Sequence, residues 1–213
     1  MYTPKHFEEP RLDILQAHMR EHPLATLVTF GPAGLEANHI PLLLEAGEDG
    51  SLGRLSGHVS RANPMWRNVD TTVEALAVFA GPDAYVSPSW YATRRETGQA
   101  VPTWNYVVAH AYGALRLIED RDWLARHVEA LTLAHEAGRA EAWSLDEAPP
   151  EYAARLMAGI VGIEIPISRI EGKWKVSQNQ PAANRAGVVQ GLEAAGGDAA
   201  MAVARLVRER GPA

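Results

Sequence analysis

Gly57-His58-Val59-Ser60-Arg61-Ala62-Asn63-Pro64-Met65-Trp66-Arg67 decides how the chain is read, because the pattern changes there from strand to helix. Residues 52–59 form an apolar strand that ends in this stretch. Asn63-Pro64 marks the start of a short helix. Asn is a favoured N-cap, Pro suits the first helical position, and the residue before a proline is pushed toward extended backbone. A strand running into a helix N-terminus offers free N–H groups and the positive end of the helix dipole, which together favour an anion. Ser60 and Arg61 stand beside that point, one a hydroxyl donor and the other a planar fork suited to phosphate. The competing reading is an arginine that only reaches solvent.

Upstream, residues 10–22 read as a helix with Leu12, Leu15 and Met19 on one face, stopped by Pro23. His18 and His22, four apart, belong to its polar face rather than to half a metal site. Residues 24–30 are strand-like, Gly31-Pro32-Ala33-Gly34 is a turn, and 35–44 is a second strand. Pro41 lies within that strand and cannot donate to a ladder. This makes the segment an edge, a bulge or a strand left open to a ligand. Residues 45–50 turn the chain into the strand at 52–59, so the three strands form an antiparallel meander.

Downstream, residues 74–80 are continuously apolar, as in a strand buried on both faces. Residues 81–91 are rich in turn formers and aromatics, and Arg94-Arg95 is an exposed loop pair. Val101-Pro102-Thr103-Trp104-Asn105-Tyr106 opens a strand that continues to Ile118. Loops so rich in Trp, Tyr, Ser and Asn suit a planar ligand or a subunit interface. Asp120 caps an amphipathic helix with Leu124, Val128 and Leu131 on one face and His127 and His135 solvated at its flanks. A helix at 150–158 and a last strand at 160–170 follow. The Ala-rich tail is broken by Gly196-Gly197, with Asp198 capping the final helix. The coarse pattern is mainly β with α, an α+β chain: an antiparallel barrel of about six strands with helices before, within and after it. Residues 1–190 make one domain with embedded helices, and 191–213 a C-terminal helical tail.

Composition narrows the function. The chain has 213 residues, 46% of them hydrophobic and 22% charged, an ordinary globular balance. It has no cysteine, which excludes disulfides, thiolate catalysis and cysteine-built zinc sites. The net charge of −6 gives no basic footprint for nucleic acid. No apolar run reaches the length of a membrane span, and the N-terminus lacks signal-peptide form, so a cytoplasmic location is expected. Of the twenty Lys and Arg only three are Lys, at 5, 173 and 175, and the last two flank Trp174. No dinucleotide fingerprint, Walker loop or nucleophile elbow is present.

Five stretches in one order carry a resemblance: Met1-Tyr2-Thr3-Pro4-Lys5-His6-Phe7-Glu8, residues 57–64, Tyr85-Val86-Ser87-Pro88-Ser89-Trp90-Tyr91, residues 101–106, and Lys173-Trp174-Lys175-Val176-Ser177-Gln178-Asn179. Together they resemble the PaiB family of FMN-binding negative transcriptional regulators, nearly end to end. Val176 departs from the leucine expected there. The resemblance implies an FMN-binding split β-barrel related to the pyridoxamine-phosphate oxidase and flavin reductase folds. It also implies a homodimer with FMN at the subunit interface and regulation of sporulation and protease genes. Two other activities stay open: a flavin-dependent oxidoreductase using NAD(P)H or acting on a small substrate, and a haem-binding split barrel using His39, His58 or His110. DNA is a partner by family label only, unsupported by the charge.

The candidate cofactor residues follow. Ser60 and Arg61 take the flavin phosphate, as that junction does in related barrels, and Asn63 is first a cap and second a ligand contact. His39 sits where an open backbone could face the flavin ring, or is a hydrogen-bonded barrel histidine. His58 points to the same side as Ser60 by alternation. Trp66 packs the short helix or stacks on cofactor. Thr103 and Trp104 approach the ligand from a partner subunit, or Trp104 anchors the dimer. Lys175 and Gln178 suit phosphate or the flavin's polar edge, against a solvated basic edge as the alternative. No residue pair specifies a catalytic mechanism, which a flavoprotein does not need, because the flavin does the redox chemistry.

Overall fold

The computed structural model describes residues 1–47 and 51–210, and for Arg95 the backbone alone. Residues 48–50 of the turn expected at 45–50 lie outside the described residues, and the segment around Arg94-Arg95, expected as an exposed loop, is helical from Ala92 to Thr97. Among the described residues nine strands and seven α-helices follow one another. In order they are α1 (Leu12–Glu21), β1 (Leu24–Gly31), β2 (Gly34–Pro41), β3 (Leu43–Glu45), β4 (Arg54–Ser60), α2 (Met65–Asn68) and β5 (Glu74–Val86). There follow α3 (Ala92–Thr97), β6 (Thr103–Ala114), β7 (Arg116–Ile118), α4 (Arg121–Glu136), α5 (Pro150–Ala158), β8 (Ile160–Pro166), β9 (Arg169–Lys175), α6 (Ala182–Ala195) and α7 (Asp198–Glu209). The strands order as β2-β1-β5-β6-β9 in one sheet and β3-β4-β8-β7 in the other.

The chain divides into two compact units. The first is Met1–His18, Phe79–His110 and Glu171–Ala213; the second is Met19–Val78 and Ala111–Ile170. The domain boundary expected at residue 190 falls inside α6.

In the second unit β1 and β2 form an antiparallel hairpin from Leu24↔Pro41 to Gly31↔Gly34. Pro41 ends the edge strand of its sheet, where its missing N–H costs no ladder bond. The chain then breaks: the Leu42 N–H bonds the Pro23 carbonyl at 2.9 Å, and β3 and β4 pair in the other sheet. The expected three-strand meander is therefore a hairpin in one sheet and a hairpin in the other. β4 pairs along its whole length with β8, from Arg54↔Pro166 to Ser60↔Ile160. Residues 160–170, expected as one strand, hold the whole of β8 and the start of β9, broken at 167–168, where Ser168 N–H bonds the Tyr112 carbonyl.

In the first unit, β5 runs on to Val86 where turn formers at 81–91 predicted a loop. Gly81 makes this possible, since a Cβ there would press on His18. The apolar run at its start alternates: Ala75, Ala77 and Phe79 are buried, and Leu76 and Val78 half-buried. The α6–α7 pair is joined through Gly196 and Gly197, both at positive φ. Gly197, not Asp198, takes the N-cap of α7, and Asp198 is its first residue. Arg210, just past α7, bonds Glu9, which Arg11 also holds at 2.6 Å.

Candidate functional site

Six of the ten candidate residues lie in the second unit and four in the first. In the second unit the turn after β4 is closed by its own side chains. Ser60 Oγ accepts from the Ala62 N–H at 3.2 Å. Asn63 Oδ1 accepts from the Met65 N–H at 2.9 Å, so its side chain covers the first N–H of the single-turn α2, while Pro64 rather than Asn63 takes the N-cap position. Asn63 Nδ2 donates to Asn38 Oδ1 at 2.8 Å, tying the turn to β2. Trp66 Nε1 donates to the Arg61 carbonyl at 3.0 Å, and the Arg61 and Arg67 guanidinium carbons lie 5.4 and 4.4 Å from its ring.

Arg61 is tightly engaged. It donates from Nη1 to Glu119 at 2.6 Å, from Nε to the Ala158 carbonyl at 3.2 Å and from Nη2 to the Ile160 carbonyl at 3.3 Å. His39 is exposed on β2, on the opposite face from Asn38. His58 is half-buried with Nδ1 3.1 Å from His127 Nε2, and Trp123 stacks on His127 at 5.1 Å. His127, expected in solvent, is 5% exposed. Burial pushes both imidazoles down, His127 to about 4 with the neighbouring His58 as the second cause.

The first unit holds a cleft of about 430 Å³. Thr103 at the start of β6 and Lys175 at the end of β9 meet there, and Lys175 Nζ donates to Thr103 Oγ1 and, at 2.5 Å, to the Trp104 carbonyl. Burial and the Lys173 charge lower the Lys175 ammonium below the usual lysine range. The Trp104 side chain is 54% exposed and meets Tyr85 edge-on at 5.9 Å. Gln178 spends its amide on backbone, accepting from Val176 N–H at 2.8 Å and donating to the Trp174 carbonyl at 2.5 Å. That clasp frames Ser177, a non-glycine residue at φ 65°. The Ser177 hydroxyl bonds the buried Asn105 amide at 2.9 Å. Asn184 of α6 bonds Thr93 and Gln180 across the same wall.

The structure thus brings Thr103, Trp104 and Lys175 together, and separately Ser60, Arg61, Asn63 and Trp66, while the exposed His39 bonds none of them and His58 meets His127 instead. Sequence reasoning missed Asn38, Tyr91, Asn105, Ser177 and Asn184. Tyr91, Asn105 and Ser177 lie inside stretches already quoted, beside neighbours whose charge or rings carried the stronger signal. Among the described residues no group of three His, Asp or Glu is placed to hold a metal ion. No described helix is long and apolar enough to cross a membrane.

A family profile described as "Putative FMN-binding domain" matches residues 1–169. The chain belongs to this FMN-binding domain family. It is 32% identical to the protease synthase and sporulation protein PAI 2 of Bacillus subtilis, over 91% of this chain and 89% of that one. It is 36% identical to an uncharacterized protein of Emericella nidulans, over 99% and 98% of the two chains. In structure it is similar to the flavocytochrome Anf3 of Azotobacter vinelandii, with a TM-score of 0.61, 14% identity, and 81% and 72% of the chains covered. It is also similar to an FAD and heme binding protein of Mycobacterium smegmatis, with a TM-score of 0.53, 18% identity, and 79% and 73% covered. The PaiB resemblance and the antiparallel split-barrel fold with flanking helices are therefore established, with more strands than the six expected. FMN is the family's cofactor.

The first-unit cleft fits that cofactor. FMN presents a flat ring, a polar ring edge, hydroxyls and a phosphate. A cleft of about 430 Å³ is within the range of small-molecule sites, and it offers the Tyr91 ring, the amides of Asn179 and Gln180, and the Lys175 ammonium. The family profile stops at residue 169, so the wall built by β9, the 176–181 turn and α6 lies beyond it.

Proposed function

We propose that this FMN-binding domain protein holds its cofactor in the first-unit cleft, and acts as a cytoplasmic homodimer with a regulatory role of the PaiB type. The observation that carries the reading is Lys175, a half-buried cation at the mouth of a cleft otherwise lined by neutral polar and apolar side chains. Lys175 and Thr103 bind the ligand, Trp104 and Tyr85 offer an aromatic surface beside it, and Gln178 shapes the wall. The 60–66 turn is a separate candidate contact, with Ser60, Asn63 and Trp66 as its polar and aromatic members. His39 and His58 are its outlying candidates. FMN, when bound, supplies redox chemistry or a redox-sensitive ligand state, and the protein supplies placement and electrostatics. Direct DNA contact is no part of the proposal, since a net charge of −6 works against it.

The test is an absorption spectrum before and after FMN titration and gel filtration, for the wild type, Lys175→Gln and Arg61→Ala. Flavin bands that survive gel filtration in the wild type and are lost in Lys175→Gln support the cleft. Absence of wild-type binding at micromolar FMN, or Lys175→Gln binding as tightly as wild type, overturns it. Sedimentation of the flavin-loaded protein tests the dimer, a monomer being the result against it.

A further inference from the structure

The helix α6 lies beyond the residues that the family profile matches, and its spacing sets up one face. Ala182, Arg185, Ala186, Val189, Gln190 and Glu193 recur three and four residues apart, so they stack along one side of the helix. Val207 and Arg208 of α7 stand opposite them, and the two helices border a cleft of about 490 Å³, within the range of small-molecule sites. This cleft shares no lining residue with the one that holds Lys175.

Its two arginines are in different states. Arg208 pairs with Glu193 across the helix pair, so those two charges cancel. Arg185 has no carboxylate partner among the described residues. Its Nη2 donates to the Val207 carbonyl at 2.8 Å, a neutral group, and its Nε–H is buried with no hydrogen-bond partner. A guanidinium carries five N–H donors in a planar fork. A buried donor left unbonded and a half-buried charge without a counter-ion are both costly, and an oxyanion seated on the fork offsets both.

The rest of the lining sets the size and charge of what fits. Arg185, Arg208 and Glu193 together carry one net positive charge, which matches a monoanion, and Glu193 opposes a second negative charge. Ala182, Ala186, Val189 and Val207 supply apolar surface for a hydrocarbon body. No aromatic side chain is among the described lining residues, so the cleft offers no stacking surface for a flavin ring or a base.

We propose that the α6–α7 cleft is a second small-molecule site, which takes a monocarboxylate with a short hydrocarbon body on the Arg185 guanidinium. The carboxylate accepts from the guanidinium and the hydrocarbon covers Ala186 and Val189. The site is independent of where FMN sits. Because Arg185 also ties α6 to the last turn of α7, an occupied cleft fastens α7 in place.

The probe is hexanoate, with hexanamide as its neutral counterpart and inorganic phosphate as the competing anion, titrated into the full chain as purified. Arginine Nε–H resonances in a proton–nitrogen correlation spectrum are read first on the wild type, because the Arg185 Nε–H starts without a partner. Hexanoate should move that resonance saturably and raise the melting temperature, and hexanamide should do neither. Arg185→Gln, shown folded by circular dichroism, should bind hexanoate about ten- to hundredfold more weakly, the loss of a charge-assisted hydrogen bond. Arg185→Lys should fall between. Arg205→Ala, exposed on α7 and outside the cleft, should bind as the wild type does. The assignment is overturned if hexanamide binds as well as hexanoate, if phosphate moves the Arg185 resonance as strongly, or if Arg185→Gln keeps wild-type affinity. Equal loss in Arg205→Ala would also overturn it, by showing attraction to a basic surface rather than a seat on Arg185. Should Arg185→Gln fail to fold, the wild-type Nε–H titration against hexanamide decides by itself.

Discussion

His58 Nδ1 and His127 Nε2 lie 3.1 Å apart and join β4 to α4, with Trp123 stacked on the buried ring. Both imidazoles are held below their ordinary value, so the folded protein keeps them neutral while the unfolded chain protonates them near pH 6.5. The unfolded state then binds more protons as the pH falls, and stability drops with it. The contribution is complete above about pH 6.5 and is lost as the pH falls toward about 4, the value for His127. The loss expected is on the order of 3 kcal/mol. Urea unfolding at pH 7, 5.5 and 4.5 measures it, and His127→Phe should flatten the slope. An unchanged slope in that variant removes the pair as its cause.

Glu9 is also held below its ordinary value, but because its charged form is favoured rather than its neutral one. Burial pushes its carboxyl up, but hydrogen bonds from Arg11 and Arg210 outweigh burial and hold it at about 2. Its side chain is 1% exposed. Glu9→Gln strips the counter-ion from Arg210, and the expected destabilisation is about 3 kcal/mol by urea unfolding. A change below about 1 kcal/mol would show that the pair adds only what a surface bridge does.

Gly187 and Gly191 of α6 lie against Trp90. A Cβ at Gly187 would overlap the Trp90 carbonyl oxygen, a backbone atom that cannot swing away. Alanine is the better helix former by about 1 kcal/mol, so helix propensity and packing pull in opposite directions. Packing should win, with Gly187→Ala losing about 2 kcal/mol in thermal or urea unfolding. A stabilised variant would mean that α6 shifts freely on its seat.

Ser177 combines a left-handed backbone with a buried hydroxyl bonded to Asn105. Ser177→Ala keeps the strain and loses the bond, whereas Ser177→Gly loses the bond and relieves the strain. Ser177→Ala should therefore be less stable than Ser177→Gly by about 1 kcal/mol. Equal stabilities would show that the turn carries no strain.

The sequence showed some of this and hid the rest for physical reasons. Asn63-Pro64 announced the turn at its boundary because capping is local, and the Asn63 side chain does bond the Met65 N–H. Local chemistry of that kind is readable from neighbours. His127 was not, because a lone histidine on a helix reads as solvated. Its burial is decided by Trp123 four residues before it and by His58 sixty-nine residues before it. His18 misled in the same way: it is buried, with its ring nitrogen 3.1 Å from the Phe79 carbonyl and its ring edge-on to Trp174. The meeting of Lys175 with Thr103, seventy-two positions apart, follows from where β6 starts and β9 ends, which no local pattern records. Gln178 looked like a ligand donor because an amide near a lysine suits a flavin edge. Its amide instead closes on its own turn.

The near-absence of lysine has a practical reach. Lys5 is exposed, Lys173 is buried and Lys175 stands half-buried at the cleft, with Arg taking every other basic position. Reagents that acylate primary amines therefore meet almost no background on this surface. Slow acylation at Lys175, read by peptide mass against fast acylation at Lys5, becomes an internal clock for how often the cleft stands open. Any occupant that covers the amine stops that clock, whether or not it absorbs light.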